Sequence, residues 1–460
     1  MLLVNFTFEN CGSFRDEQAF TMSRIDVPSA PDASGAEDGA GGWTHPTVST
    51  AAAVYGANAS GKSRFLRALA YVSRFVRTSF DEGDADSGTG VTPFLLDVSS
   101  RDKPSSFFVE FIADDGLRYK YWFTVDATQV CDEMLSVYRT RQPSLLYARS
   151  MGEDGAQSIE FGASFKGAKR QAWEITRRNS LLLSAAAKID NKTIMPAYRA
   201  LGREIAFYNA SAYNAEIPAI KQDFERNTGR FEVLSELLSY ADVGITGMRV
   251  QRRSVDDGIS ALMGALVQGM DGNASPETIA ALTKEMQTEL AFRHRGADTD
   301  EWLPMQLESD GTIAALSFMS VALLALASGC VALVDEIDKS LHPVLVRELV
   351  GLFVDPATNP HQAQLIFTTH DESLIDESGG DRLLHRDQVW LTQKAADGAS
   401  ELIAITEYGL PRKAENIGRN YMHGVYGAIP LPTLHLRVAQ ALARLDGDGG
   451  STKDPHEVAR

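Results

Sequence analysis

The stretch Gly56-Ala-Asn-Ala-Ser-Gly61-Lys62-Ser63 constrains the fold of this chain more than any other. It fits the phosphate-loop pattern G-x-x-x-x-G-K-[ST]. Its flanks fit as well. Ala51-Ala-Ala-Val-Tyr55 reads as a short buried strand. Arg64 to Thr78 carries Phe65, Leu66, Leu69, Val72 and Val76 at helical spacing. A strand, a glycine-bearing turn and a helix start together make an anion site, because backbone N–H groups and the positive helix end converge on one point. The residues expected to cradle phosphate are Gly56, Ala57, Asn58, Ala59, Ser60, Gly61, Lys62, Ser63 and Arg64. Lys62 reaches the outer phosphates, and the Ser63 hydroxyl is a ligand for Mg²⁺.

A second motif completes this chemistry. Cys330-Val-Ala-Leu-Val334 is a continuous apolar run, as a strand buried on both faces requires, and it ends in Asp335-Glu336. The two carboxylates then emerge at the strand's C-terminal end, where open α/β sheets bind ligands. Asp335 is the expected Mg²⁺ ligand, and Glu336 is suited to orient or deprotonate an attacking water. Leu365-Ile-Phe-Thr-Thr369 is the next expected strand, and His370 at its end is placed to hydrogen-bond the terminal phosphate. Lys62, Glu336 and His370 are therefore the candidate catalytic residues. Glu308-Ser-Asp-Gly-Thr312 precedes the apolar helix Ile313 to Ala327. That puts Ser309 and Gly311 at a helix N-terminus, which serves equally as a cap or as an anion site.

Composition narrows the class. The 460 residues allow two or three domains, or one large domain with an insertion. With 44 Lys and Arg against 61 Asp and Glu, the formal charge is −17, which opposes broad binding to phosphate backbones. The charge therefore does not indicate DNA as a partner. The apolar run Ile313 to Ala327 reads as too short to span a membrane and is broken by Ser317 and Ser320. The N-terminus lacks a basic region followed by an apolar core. Cys11, Cys131 and Cys330 are widely separated and form no zinc or disulfide framework. A cytoplasmic protein with reduced thiols is expected.

The pass along the chain gives four regions. Residues 1–160 form an N-terminal lobe with the phosphate loop. Residues 2–8 alternate as an opening strand, and Phe107–Ile112 and Leu117–Val125 flank Asp114-Asp-Gly116 as a β-hairpin, so an antiparallel sheet is expected. Residues 161–300 read as a mainly helical insertion. Its basic cluster of Lys166, Lys169, Arg170, Arg177 and Arg178 is either a solvated face or a contact with nucleic acid or a partner. Two helices and polar loops are expected within 253–300. Residues 301–430 form a C-terminal lobe with the acidic strand and His370, and residues 431–460 a helix and polar tail.

The order Gly56–Ser63, Ser309-Asp-Gly311, Asp335-Glu336, His370 resembles the ABC-type ATPase heads of RecF-like and SMC-like proteins. More closely, Glu308–Thr312, Asp335–Pro343, Gln364–Asp371 and Tyr426–Pro430 resemble the AAA-domain ATP-binding family of abortive-infection and anti-phage loci, the type to which the ATPase subunit of the PARIS defence system belongs. The resemblance implies an α/β P-loop NTPase fold with an ABC-ATPase-like head: a mixed sheet, an antiparallel β lobe and a helical insertion. It implies an ATP hydrolase using ATP and Mg²⁺. It also implies that Ser309 and Gly311 contact the γ-phosphate held by a second subunit, so that ATP joins a homodimer or higher homo-oligomer. His342 stands where many relatives carry Asp and is a candidate dimer contact or a turn residue. The Gln expected near Thr92–Asp97 is missing.

Two functions remain open at this point. One is a nucleotide-driven dimerisation switch in prokaryotic defence, acting through a separate effector such as a nuclease or toxin. The other is a DNA-maintenance ATPase of the RecF or SMC kind. The acidic balance and the lack of a long heptad arm count against the second. A fused nuclease is not expected, since only about 30 residues follow Pro430.

Overall fold

A computed structural model of the chain describes residues 1–24, 46–152, 154–209, 214–241, 244–252, 288–296, 301–376, 383–408, 416–429, 437–439 and 441–442. The N-terminal region contributes β1 (Leu2–Glu9), β2 (Gln18–Thr21), β3 (Ala51–Gly56), α1 (Lys62–Thr78) and the single turn α2 (Val98–Arg101). The strands β4 (Ser105–Ile112), β5 (Arg118–Val125), β6 (Val130–Tyr138), β7 (Pro143–Met151) and β8 (Gln157–Phe161) follow. They join β1 and β2 in one antiparallel sheet of order β2-β1-β4-β5-β6-β7-β8. The expected hairpin is β4–β5, with Ile112 opposite Arg118.

Next come the helices α3 (Lys169–Ile175), α4 (Leu182–Lys188) and α5 (Met195–Arg203), then the strand β9 (Ile205–Asn209). Beyond it lie α6 (Ile217–Arg226), α7 (Arg230–Ala241), β10 (Ile245–Arg252), β11 (Thr288–His294) and the short β12 (Leu303–Pro304). The C-terminal lobe holds α8 (Asp310–Ser328), β13 (Val331–Asp335), α9 (Pro343–Val354), β14 (Gln364–Thr368), β15 (Val389–Lys394), β16 (Ser400–Ala404) and α10 (Ile417–Met422).

The central sheet has the order β16-β15-β3-β14-β13-β9. Its neighbours run parallel except for the antiparallel edge pair β15–β16. The phosphate-loop strand β3 and the acidic strand β13 therefore sit one strand apart, with β14 between them, and their C-terminal ends open on the same side. The α/β fold with mixed sheets is that of a P-loop NTPase. β3 is buried along its whole length. Its Ala52 and Val54 face one core and its Ala51, Ala53 and Tyr55 the other, as the two-residue period of a strand requires. The first core packs α1, through Phe65, Leu66, Leu69 and Val72, between the central sheet and the aromatic inner face of the antiparallel sheet (Phe6, Phe8, Phe107, Phe123). The second core packs α8 and α9 on the opposite face, through Leu316, Phe318, Val346 and Phe353.

Three expectations are corrected. The region expected to be a mainly helical insertion contributes β9 to the central sheet, where it pairs in parallel with β13 from Val331–Ile205 to Asp335–Asn209. It also supplies β10 and β11 of a three-stranded sheet with β12, so 288–294 is strand in a stretch expected to hold helices and polar loops. The Ile205-Ala-Phe-Tyr-Asn209 run is too short to declare its period between two helical patterns. The apolar helix is longer than the sequence pattern suggested: α8 has 19 residues, enough by length and composition to cross a membrane, and its Leu316, Phe318 and Met319 lie in the core. Most of 26–46, 253–287 and the expected C-terminal helix and tail lie outside the described residues.

Candidate functional site

The loop between β3 and α1 owes its shape to Gly56. Its φ is 150°, and a Cβ there would lie 2.4 Å from the Thr392 carbonyl oxygen and 2.7 Å from Ser60 Oγ. Any side chain would push the loop off β15. The loop is then closed by Ser60 Oγ, 2.6 Å from Thr392 Oγ1. Gly61 caps α1 and contributes no side-chain hydrogen bond, so the first N–H groups of the helix keep their donors for an anion.

Around this helix start lies a cleft of about 580 Å³. Ala57, Asn58, Ala59, Gly61, Lys62, Ser63 and Arg64 line it from the loop, and Glu336 and His370 from the neighbouring strand ends. Lys62 is buried, and its Nζ donates to the carbonyls of Gly56 at 2.8 Å and Ala57 at 3.1 Å. Burial lowers its pKa below the usual lysine value, against the opposing pull of Asp335, Asp338 and Glu336. Ser63 Oγ donates to Asp335 Oδ1 at 2.8 Å, so the two expected metal ligands meet although 272 residues separate them. Thr368 Oγ1 donates to the same oxygen at 2.8 Å.

Glu336 follows β13 with φ at 59°, the left-handed region that a non-glycine residue rarely adopts. Its carboxylate lies 3.5 Å from Lys339 Nζ and is half-exposed towards the cleft. His370 stands at the exposed rim, and its backbone N–H donates to Asp338 Oδ2 at 3.2 Å. The side chains crowding the ring still remove water from it. That desolvation, followed by the nearby Lys62 charge, lowers the imidazole pKa below its ordinary value. Asp338 Oδ1 is buried without a hydrogen-bond partner and faces the same neighbourhood. An uncapped helix start, a lysine resting on loop carbonyls and a hydroxyl–carboxylate pair form a donor set that suits a magnesium–nucleotide complex.

The remaining wall was not legible as a site. Thr92, Phe94, Leu95 and Leu96 line the cleft from the segment that lacks the expected Gln, and supply mostly apolar surface instead. Asn10 anchors that segment by accepting from Phe94 N at 3.0 Å and donating to Ser100 O at 2.8 Å. Lys394, at the end of β15, lines the opposite side and reaches Ala59 O at 3.4 Å. Only the strand order brings Lys394 beside the loop, so no local pattern announces it.

Ser309 and Gly311 do not line this cleft. Ser309 is the N-cap of α8, its Oγ accepting from Thr312 N at 3.1 Å. Gly311 packs against the turn after β13, where a Cβ would lie 2.7 Å from the Ser340 carbonyl oxygen. His342 caps α9, its Nδ1 accepting from Val344 N at 3.2 Å, which gives it a local role in its own subunit. The basic cluster is divided. Arg177 donates to the carbonyls of Ser79 and Phe80 at the C-terminal end of α1, while Arg170 pairs with Glu174 and Arg178 is exposed. Tyr426 and Ala428 are buried beside Tyr421, which gives this stretch a packing role; Pro430 lies outside the described residues.

Solved structures similar to this one share little of its sequence. The SMC head domain from Thermotoga maritima is 12% identical over 88% of this chain and 99% of that one, with a TM-score of 0.37. The ATP-bound recombination mediator protein RecF of the RecFOR pathway is 11% identical over 88% and 98%, with a TM-score of 0.33. The cbiO1 protein from Clostridium perfringens, part of an ABC transporter complex, is 13% identical over 55% and 67%, with a TM-score of 0.19. No curated protein matches the sequence. The family described as "AAA domain, putative AbiEii toxin, Type IV TA system" matches residues 51–376, from the first residue of β3 to the turn after His370, and the chain belongs to this family of AAA-domain ATPases.

Proposed function

We propose that the chain is a Mg²⁺-dependent ATP hydrolase whose heads pair when ATP is bound, and that this pairing controls a separate effector in prokaryotic anti-phage or abortive-infection defence. The observation that carries the chemistry is the meeting of Ser63 and Asp335 at 2.8 Å beside Lys62 and Glu336. Ser63 and Asp335 would hold the Mg²⁺, which would supply positive charge to offset that of the phosphates. The N–H groups from Ala57 to Ser63 bind the phosphate chain. Lys62 exchanges its loop carbonyls for phosphate oxygens. Glu336 orients the attacking water and takes its proton, and His370 donates to the terminal phosphate. The apolar segment Phe94–Leu96 covers the base. None of these roles needs a second subunit.

The pairing rests on a different observation. Ser309 and Gly311 stand at the start of the long helix α8 yet lie outside their own cleft. An anion-binding helix end of this kind suits the γ-phosphate of a facing copy. The family description, with its toxin and toxin–antitoxin system, supports an effector-linked role, and the cytoplasm is the compartment proposed for it. Sedimentation of the Glu336→Gln protein with Mg²⁺ and ATP tests the pairing. A dimer is expected, and Ser309→Arg should abolish it while nucleotide still binds. A monomer at high concentration contradicts the pairing. Purification with the neighbouring gene products, and identification of what co-elutes, tests the effector.

A further inference from the structure

We infer that Thr368 is a positioning residue that couples the metal-binding carboxylate to the water-orienting one. This rests on the ATPase reading above. Thr368 ends β14, whose preceding residues Leu365, Ile366 and Phe367 are fully buried and apolar. Its hydroxyl is fully buried too, and a hydroxyl in such surroundings is costly unless its hydrogen bonds are made.

Both of its capacities are used, and both on the site. Thr368 Oγ1 donates its one proton to Asp335 Oδ1 at 2.8 Å. The same oxygen accepts from the backbone N–H of Glu336 at 2.7 Å. The Thr368 carbonyl accepts from Ile337 N at 3.0 Å. One residue therefore holds the side chain of Asp335 and the two peptide groups that set the direction of Glu336. Glu336 needs that hold, since its φ of 59° persists only where surrounding contacts fix it. Thr368 does not line the cleft, so it acts through Asp335 and Glu336 and not on the nucleotide.

The pattern is specific to a hydroxyl. Valine matches the shape of threonine but would remove the bond to the Glu336 N–H and one of the two that Asp335 Oδ1 accepts, leaving the one from Ser63. Serine keeps the oxygen and loses only a methyl group. The test compares Thr368→Val and Thr368→Ser in the full chain, with Mg²⁺ and ATP. Thr368→Val should lower kcat by roughly tenfold to a hundredfold, the weight of one hydrogen bond involving a charged group. At saturating Mg²⁺, KM and the affinity for a fluorescent ATP analogue should stay within about twofold, because no residue that lines the cleft is changed. Thr368→Ser should recover most of the turnover. Amide exchange at 335–338 in the nucleotide-free protein should quicken in the valine variant and not in the serine one. That readout needs no hydrolysis, so it separates this inference from the ATPase reading. A wild type that binds ATP without turnover contradicts that reading alone. Equal kcat in wild type and Thr368→Val, equal losses in both variants, or unchanged amide exchange in Thr368→Val would overturn the role given to Thr368.

Discussion

The hydroxyl of Ser63 donates to Asp335 Oδ1 at 2.8 Å, and this contact joins the first turn of α1 to the end of β13. A carboxylate and a hydroxyl are oxygen donors of the kind Mg²⁺ takes, and these two are the ligands proposed for it. Ser63→Ala should therefore raise the Mg²⁺ concentration needed for half-maximal hydrolysis by about an order of magnitude or more, as loss of one of few protein ligands implies. A Mg²⁺ titration of the steady-state rate measures it. An unchanged midpoint would show that Ser63 only ties α1 to the end of β13.

Lys62 is a desolvated charge, and its lowered pKa has a sign for stability. Between the lowered folded value and the ordinary 10.5, the unfolded chain holds more protons, so stability rises with pH through that window. At neutral pH the cost of the buried charge is present in full. Lys62→Met should thus abolish nucleotide binding without lowering the Tm of the nucleotide-free protein. A fall of several degrees would show that the bonds to the Gly56 and Ala57 carbonyls outweigh the desolvation.

His370 should titrate below its ordinary value of 6.5 in the free protein, because burial and the Lys62 charge both disfavour the imidazolium. As pH falls below 6.5 the unfolded chain takes up the proton first, so this group lowers stability on the acid side of that value. NMR of the ring signals gives the titration directly. Lys62→Met should move the midpoint back upwards; a midpoint unmoved by that substitution would remove the charge from the explanation.

A buried network fixes the far end of α1. Glu133 is fully buried and accepts from Tyr121 Oη, Tyr147 Oη, Leu182 N and Leu183 N, with Arg149 at 3.7 Å. Arg149 in turn donates to the carbonyls of Arg177, Arg178 and Ser180. Ser79, just after α1, donates to Ser184 at 2.9 Å. Glu133→Gln leaves the arginine charge buried without its counter-charge and should cost about 3–5 kcal/mol of unfolding free energy. Urea unfolding measures it, and a loss below about 1 kcal/mol, the weight of an ordinary hydrogen bond, would deny the network this role.

The legible parts of this molecule are those written locally. A glycine loop between a strand and a helix, and an apolar run ending in two carboxylates, each declare their element within a dozen residues. β3, α1, β13 and β14 stand where the sequence pattern puts them, and α8 does so with extra residues at both ends. The illegible parts depend on who lies beside whom. β9 reads as a gap between helices until β13 pairs with it. Arg177 reads as surface charge until the carbonyls at the end of α1 claim it. Thr368 does leave a trace, as a polar residue closing an apolar strand, but its partners Asp335 and Glu336 are identified only once β13 and β14 are known to be adjacent. Lys394 leaves none, because its place beside the loop comes from the parallel pairing of β15 with β3.

The central claim is hydrolysis by the cleft at the phosphate loop, and the Glu336→Gln substitution tests it most directly. ATP turnover by wild type and variant should be measured side by side with Mg²⁺, together with ATP affinity. The variant should bind ATP as tightly as wild type and lose turnover by about a hundredfold or more, since positioning and charge stabilisation dominate phosphoryl transfer. Equal turnover by the two proteins would contradict the account.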